Sequence, residues 1–490
     1  MNIPPDTVSN LQPSHGQRKR LLLAYPNMRW QKEDSVTLWN LDPTALCLLA
    51  AMVKDLVDVK ILDAQFYDLD KGAFKKEISE YAPDFVGLSL LTSEYEEALY
   101  CAARLVKECN PHIQVVAGGV HVTVMPEHVM ETCSAIDYCV IGEGEYVLRD
   151  LLQFLQGFGA LPDKGLAFRG NGVVVQQQVI VDDLSKLPWP DYELVDYAAY
   201  IQKPQRSFTS NQPPAYPYTR MVTTRGCPFG CSFCQVETIA GRRVRTRDPV
   251  DVVNELVYLK ERYGVRSIVF DEDNLLLGEN DYAQRLFREM INRKLGLPWI
   301  ASAFALFLIT DDLLDLMKES GCVGINVAIE SGNERVLKEI VRKPIKNLAA
   351  IPAIIAKVQS KGIYCIANFI VGFPGETWNE VRETIAFAEQ CGADYVKIYA
   401  AVPLYKTKLY YLAKERGLLL CNDAIPKVDW RYGQITSNEW TAKDISVLRV
   451  YEWDRINFVP HKIKRLLEIT GATEEELKAV RKNTRDNLTW

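Results

Sequence analysis

The fifteen residues TRGCPFGCSFCQVET, from Thr224 to Thr238, constrain this chain more than any other stretch. Cys227, Cys231 and Cys234 stand at the spacing C-x3-C-x2-C, and Gly226 and Gly230 leave room for backbone to close around a bound group. Three soft thiolates on one short loop are ligands for a metal or a metal–sulfur cluster. A structural zinc needs a fourth ligand, and no fourth Cys or His lies near this trio in the sequence. A four-iron cluster held by three cysteines instead leaves one iron open to a substrate or cofactor, which makes the incomplete set informative.

Residues 220–224 read as a buried strand, so the loop falls at a strand's C-terminal end, where α/β barrels build their active sites. With that strand counted as the first, candidate strands are expected at 221–225, 267–271, 298–303, 323–329, 366–371 and 395–400, alternating with helical stretches. Six such βα units predict a partial barrel, short of eightfold closure, whose open side admits a large substrate. Three strand ends carry polar punctuation: Asp271-Glu272-Asp273-Asn274, Glu330-Ser331-Gly332, and Gly372-Phe373-Pro374-Gly375-Glu376-Thr377. The first reads equally well as a helix-capping surface loop, and the last as a tight turn feeding a helix capped by Thr377.

Ahead of the loop, strands at 20–25, 57–62, 85–90, 113–117 and 138–141 alternate with helices at 42–56, 72–81, 94–109, after Pro126, and at 145–156. That alternation predicts a parallel sheet covered on both faces, a doubly wound, flavodoxin-like domain. Its strand-end loops bring Ser89 and Thr92, then Gly118, Gly119, His121 and Thr123, then Gly142, Glu143 and Gly144 toward one edge. Glycine pairs there let backbone approach a ligand closely, and hydroxyls anchor its polar edges, although the same turns suit a regulatory domain. Neither G-x-x-x-x-G-K-[ST] nor G-x-G-x-x-G follows the first strand, which disfavours nucleotide sites of those kinds.

With 490 residues, 48% hydrophobic, the chain divides into several units: a disordered tail over 1–18, the doubly wound domain over 19–160, a hairpin and linker over 161–205, the partial barrel over 206–408, and a mostly helical region over 409–490. A net charge of −6 with interspersed signs gives no reason to expect nucleic acid as a partner. No apolar run approaches the roughly 20 residues of a transmembrane segment, and the start is polar, so a cytoplasmic location is expected. Cys47, Cys101, Cys109, Cys133, Cys139, Cys322, Cys365 and Cys391 read as reduced core thiols.

The three-cysteine loop, with Phe233 immediately before its last Cys, resembles the signature of radical S-adenosylmethionine enzymes. That resemblance implies a 4Fe-4S cluster on Cys227, Cys231 and Cys234, with S-adenosylmethionine on its open iron. It further implies that Phe233, Glu330, Ser331 and Gly332 meet the cofactor's polar parts, and that Gly372 and Pro374 lie over its adenine side. The turns of the first domain, taken in series, resemble the cobalamin-binding domain of the cobalamin-dependent class. Ser89, Thr92, Gly118, Gly119, His121, Thr123, Gly142, Glu143 and Gly144 are then the implied cobalamin contacts. The D-x-H-x-x-G ligand motif is missing, so cobalt is expected without a protein imidazole, His121 serving as a hydrogen-bonding residue of its turn. Pro403-Leu404-Tyr405-Lys406-Thr407 departs from the P-x-P-G-T turn of this class, so no contact is carried over there.

The implied reaction is C-methylation of an unactivated carbon in a small-molecule substrate, through a 5′-deoxyadenosyl radical and methylcobalamin, with an external flavodoxin- or ferredoxin-type electron donor. Radical cyclisation or rearrangement is the alternative within the class. A non-catalytic cobalamin or redox sensor is the alternative outside it, against which the Glu330 and Gly372 turns argue.

Overall fold

Two parallel sheets organise the protein, whose computed structural model describes residues 18–31, 42–203, 213–421 and 428–488. The first sheet is built from β1 (Arg20–Tyr25), β2 (Asp58–Asp63), β3 (Phe85–Ser89), β4 (Gln114–Gly118) and β5 (Tyr138–Val140). Between them run α1 (Thr44–Val53), α2 (Lys71–Tyr81), α3 (Glu96–Cys109), α4 (Val120–Val124) and α5 (Pro126–Thr132), and α6 (Gly144–Leu155) follows β5. The near-continuous apolar run of β1 is explained by burial on both faces. Leu21 and Leu23 pack with Leu46 and Leu151 on one side, while Leu22 and Ala24 pack with Phe74 and Leu99 on the other.

The strand order is β2-β1-β3-β4-β5-β6-β7, in which β6 (Leu166–Gly170) and β7 (Gly172–Val175) are antiparallel. The hairpin expected between the domains therefore continues the first sheet. The Gly118-Gly119 turn is the start of α4, a helix the residue pattern does not announce. Of the tail expected over 1–18, all but Arg18 lies outside the described residues.

The second sheet comprises β8 (Tyr218–Met221), then, after the short β9 (Thr224–Arg225) and β10 (Arg245–Thr246), β11 (Ser267–Phe270), β12 (Trp299–Phe304), β13 (Cys322–Glu330), β14 (Tyr364–Val371) and β15 (Tyr395–Ala400). Its order is β15-β14-β13-β12-β11-β8 and every neighbouring pair is parallel, so six strands form a barrel left open between β8 and β15. The strand expected through residue 224 stops at Met221. Thr223 and Thr224 leave the sheet because the Glu272 carboxylate accepts both of their backbone N–H groups, at 2.7 and 2.8 Å. The outer edge of β15 is occupied by the Asn457 side chain, which accepts from the Val396 N–H and donates to its carbonyl, both at 2.8 Å. Among the described residues no helix is long and apolar enough to cross a membrane.

Candidate cofactor sites

β9 and β10 pair antiparallel and close the base of the cysteine loop. Gly226 sits at φ +95°, and a Cβ there would fall 2.3 Å from the Arg243 carbonyl oxygen, so the loop can close only on glycine. Its N–H donates to Asp273 Oδ2 at 3.0 Å, and the Cys227 N–H donates to the Gly241 carbonyl at 3.2 Å. The Ser232 N–H donates to the Val341 carbonyl, and the Ser232 carbonyl accepts from Leu409, which pins the loop to the barrel. Phe233 packs against Phe373 with ring centres 6.2 Å apart.

Burial pushes the three thiols up, Cys231 to about 11 and Cys234 to about 12, with Cys227 raised as well. They lie near enough to act on one another's ionisation, yet among the described residues no three such side chains are drawn together around a point. Protonated, half-buried thiols without a fourth protein ligand suit a group that displaces their protons on binding, as an iron–sulfur cluster does.

Glu330 ends β13 in the left-handed region at φ +74°, a strained setting for a side-chain residue, and is buried. Its Oε1 lies 3.0 Å from the Lys343 ammonium, a residue the sequence reading did not single out. Burial by itself lowers the Lys343 pKa, but the Glu330 carboxylate beside it outweighs that and holds the amine charged. A pair of opposite charges thus borders the cysteine loop, where an amino acid's ammonium and carboxylate could each find a partner.

Ser331 and Gly332 are turned elsewhere. The Ser331 hydroxyl is 2.9 Å from that of Thr384, and a Cβ on Gly332 would fall 2.4 Å from Phe387 Cβ. Both seat the helix Trp378–Gln390 against β13 rather than opening toward the loop. In the next turn Gly372, at φ +86°, and Phe373 both donate backbone N–H groups to Glu376 Oε2, at 2.7 and 2.9 Å, and Pro374 is buried beside them. Thr377 caps the following helix in a capping box with Glu380. The acidic run at 271–274 is no surface loop: Glu272 is buried and, besides its two backbone donors, accepts the Thr224 hydroxyl at 2.8 Å, while Asp271 pairs with Arg220 at 2.6 Å.

Between the sheets lies a cavity of about 390 Å³. Ser89, Gly118, Gly119, Thr123, Gly142, Glu143 and Gly144 all line it, with Leu46 and Leu49 of α1 on one side and Val222, Arg225 and Asp273 from the barrel on the other. A second cavity of about 300 Å³ adjoins it, sharing Ala45, Leu48, Leu91 and Val222 and adding Tyr25 and Asp42. Only Gly118 is bare toward this space, since the nearest atom to a Cβ there is 4.0 Å away. Gly119 and Gly142 serve the fold: at φ +95° and +91°, their Cβ atoms would fall 2.5 Å from the Leu90 oxygen and 2.1 Å from the Val179 oxygen. The apolar wall and bare backbone fit a flat macrocycle laid on the sheet's edge.

Two expected contacts are not on this cavity. Thr92 caps a short turn, its hydroxyl accepting the Glu94 N–H at 3.3 Å. His121 is fully buried, with Nε2 3.1 Å from the Tyr100 hydroxyl and Nδ1 3.0 Å from the Ser93 hydroxyl. Burial keeps it neutral, down to about 3, and both nitrogens are spent inside the first domain. Glu143 accepts a two-pronged bond from Arg245, at 2.6 and 2.9 Å, and Glu145 pairs with Arg225 at 2.7 Å. These pairs bolt the first domain to β9 and β10, a role that becomes visible only once the sheets are apposed.

Comparison with known proteins agrees with this geometry. Residues 40–152 match the B12 binding domain family and residues 221–388 the Radical SAM superfamily. The chain is 33% identical over 385 residues to an uncharacterized methyltransferase of Pyrococcus horikoshii, covering 77% of this chain and 80% of that protein. It is 27% identical over 487 residues to the cytidylyl-2-hydroxyethylphosphonate methyltransferase of Streptomyces wedmorensis, covering 86% of this chain and 89% of the relative. Among solved structures, the cobalamin-dependent S-adenosylmethionine radical enzyme OxsB, with aqua-cobalamin and S-adenosylmethionine bound, superposes with a TM-score of 0.71 at 15% identity, over 97% of this chain and 77% of its own. A three-cysteine loop at the mouth of an open six-stranded barrel, a glycine-edged cavity facing it from a doubly wound domain, and both family matches in that order lead to one conclusion: the chain belongs to the cobalamin-dependent radical S-adenosylmethionine enzymes.

Proposed function

We propose that this protein methylates an unactivated carbon of a small-molecule substrate, holding a 4Fe-4S cluster on Cys227, Cys231 and Cys234, S-adenosylmethionine beside it, and cobalamin between the sheets. The observation that carries the reading is the position of β9 and β10, which bear the thiol loop at one end while Arg225, next to that loop, lines the glycine-edged cavity. Bound together, these groups supply a radical to activate the carbon and a methyl group to place on it.

The protein's own residues divide the work of holding and positioning. Glu330 accepts from the ammonium or ribose hydroxyls of S-adenosylmethionine, and Lys343 donates to its carboxylate. The Gly372–Pro374 turn, stiffened by Glu376, bounds the adenine side. Gly118 lets the corrin rest against backbone, and Leu46 and Leu49 exclude water from that face. No histidine lines the cavity among the described residues, which supports cobalt without a protein imidazole. A flavodoxin- or ferredoxin-type protein supplies the electron.

The reading is tested by anaerobic reconstitution with iron, sulfide, cobalamin, S-adenosylmethionine and a reductant. The expected products are 5′-deoxyadenosine and methylcobalamin labelled from the S-adenosylmethionine methyl group. Replacing any one of the three cysteines with Ala should abolish the brown chromophore and the 5′-deoxyadenosine together. Full iron content with undiminished product in such a variant would sink the cluster assignment. The absence of 5′-deoxyadenosine from the intact protein would favour a sensor, and its presence without methylcobalamin would favour cyclisation.

A further inference from the structure

The floor of the barrel is filled by Tyr218, Val269 and Ile300, which pack with Val323 and Tyr364. Higher up, the inward residues Asn368 and Ile370 of β14 and Lys397 and Tyr399 of β15 keep accessible surface, while the outward Phe369, Val371, Val396 and Ile398 are buried. The strand register sets Asn368 directly beside Lys397 and Ile370 beside Tyr399. Tyr399 keeps 39% of its surface accessible on this inward face, and burial raises its phenol to about 12.

The inward face carries polar groups without partners among the described residues. Asn368 Oδ1 and, two strands away on β12, Ser302 Oγ are buried without a hydrogen-bond partner among the described residues. Lys397 has neither an ion pair nor a hydrogen bond among the described residues, and no charged side chain lies close enough to act on its amine, which burial alone lowers to about 7. Arg449 reaches in from the helix Ala442–Asn457, near enough to Tyr399 for each to act on the other's ionisation. One guanidinium N–H donates to the Arg431 carbonyl, the Asp429 carboxylate acts on its charge, and its Nε is buried without a hydrogen-bond partner among the described residues. The carboxylate of Glu330, which also acts on Tyr399, is already paired with Lys343. A buried amine without a counter-charge is costly to protonate, and an anion docked beside it removes that cost.

We propose that Lys397, in register beside Asn368 and two residues before Tyr399 on the same face of β15, receives an anionic group of the substrate, a carboxylate or a phosphate-type oxyanion, inside the barrel. This deepens the methyltransferase reading by naming the substrate's chemical class, and it rests on that reading for the identity of the ligand as substrate. The Lys397 ammonium and the Tyr399 phenol donate to the anion's oxygens, and the Asn368 carboxamide can turn either end toward the ligand. Lys397 takes up a proton as the anion docks.

The test is calorimetric titration of the reconstituted holoenzyme, at about pH 8, with inorganic phosphate and with acetate in buffers of different ionisation enthalpy. One anion should bind with a buffer-dependent heat, because an amine titrating near 7 is mostly unprotonated at that pH and charges on complexation. Stronger binding of phosphate assigns a phosphate-type group, and stronger binding of acetate a carboxylate. Lys397→Gln should weaken the preferred anion on the order of tenfold and abolish the buffer dependence. Lys397→Arg should retain binding and lose only the buffer dependence, which decides the matter if the Gln variant fails to keep its iron. Absence of binding by either anion, or unchanged binding and proton uptake in both variants, overturns the proposal. Failure of the intact protein to form 5′-deoxyadenosine sinks the methyltransferase reading and leaves the anion titration standing as its own result.

Discussion

The two sheets finish their strands in opposite ways. After β4 and β5 the first sheet shows backbone: Gly118 is bare, and Gly119 and Gly142 bend the chain out of the way in conformations that side-chain residues avoid. After β11 and β14 the second sheet turns carboxylates back on its own loops. Glu272 holds the N–H groups of Thr223 and Thr224, Asp273 that of Gly226, and Glu376 those of Gly372 and Phe373. Burial drives Glu272 and Glu376 each up to about 7 in spite of those donors. A strand end that seats a flat group is built by removing side chains, and one that aims thiols is built by spending side chains on backbone.

The contrast can be broken at its strongest point by Gly142→Ala. A left-handed φ and a Cβ 2.1 Å from a carbonyl oxygen together should cost about 4 kcal/mol, read from urea denaturation. A neutral outcome would show that the turn is not fixed by its glycine. Glu272→Ala comes next, at about 3 kcal/mol, because two backbone N–H groups and a hydroxyl lose their buried acceptor. Glu272→Gln, which keeps one acceptor oxygen, should lose less, and equal losses would make the brace a matter of packing.

A smaller effect concerns pH. Burial lowers the His121 pKa from 6.5 to about 3, so between those values the unfolded chain binds a proton that the folded chain refuses. Stability is therefore lost as pH falls through that window, by about 2 kcal/mol between pH 7 and pH 5. His121→Gln should flatten that part of the acid limb, and an unchanged slope would assign it to other groups. The smallest change in stability, below about 1 kcal/mol, is expected for Gly118→Leu, whose side chain meets open cavity. It should nonetheless lose cobalamin while the cysteine loop keeps its iron. Joint loss of both cofactors would remove the distinction between Gly118 and its neighbour.

Much of this arrangement is legible in the residues because apolar runs and their punctuation are local. β1 is bounded as its run RLLLAY suggests, and the spacing of Cys227, Cys231 and Cys234 is fixed in sequence. What is not legible depends on distant partners. Gly118 and Gly119 are identical letters with opposite duties, separated only by where Leu90 passes. His121 reads as a contact of the cobalamin cavity until Tyr100 and Ser93 are seen to claim its nitrogens. Thr224 continues a strand pattern until Glu272 claims its N–H. Lys343 meets Glu330 after a single wide π-turn over Val336–Val341, whose sequence carries no mark of it.

The paired bolts have a mechanical meaning. Arg225 stands just ahead of the first thiol and Arg245 beyond the last, and each is held by a glutamate of the same turn after β5. A bracket screwed to a wall at two points follows the wall without twisting. Rotation of the first domain pulls on both feet of the cysteine loop together, so the loop travels as one piece and the distances among its sulfurs are left undisturbed.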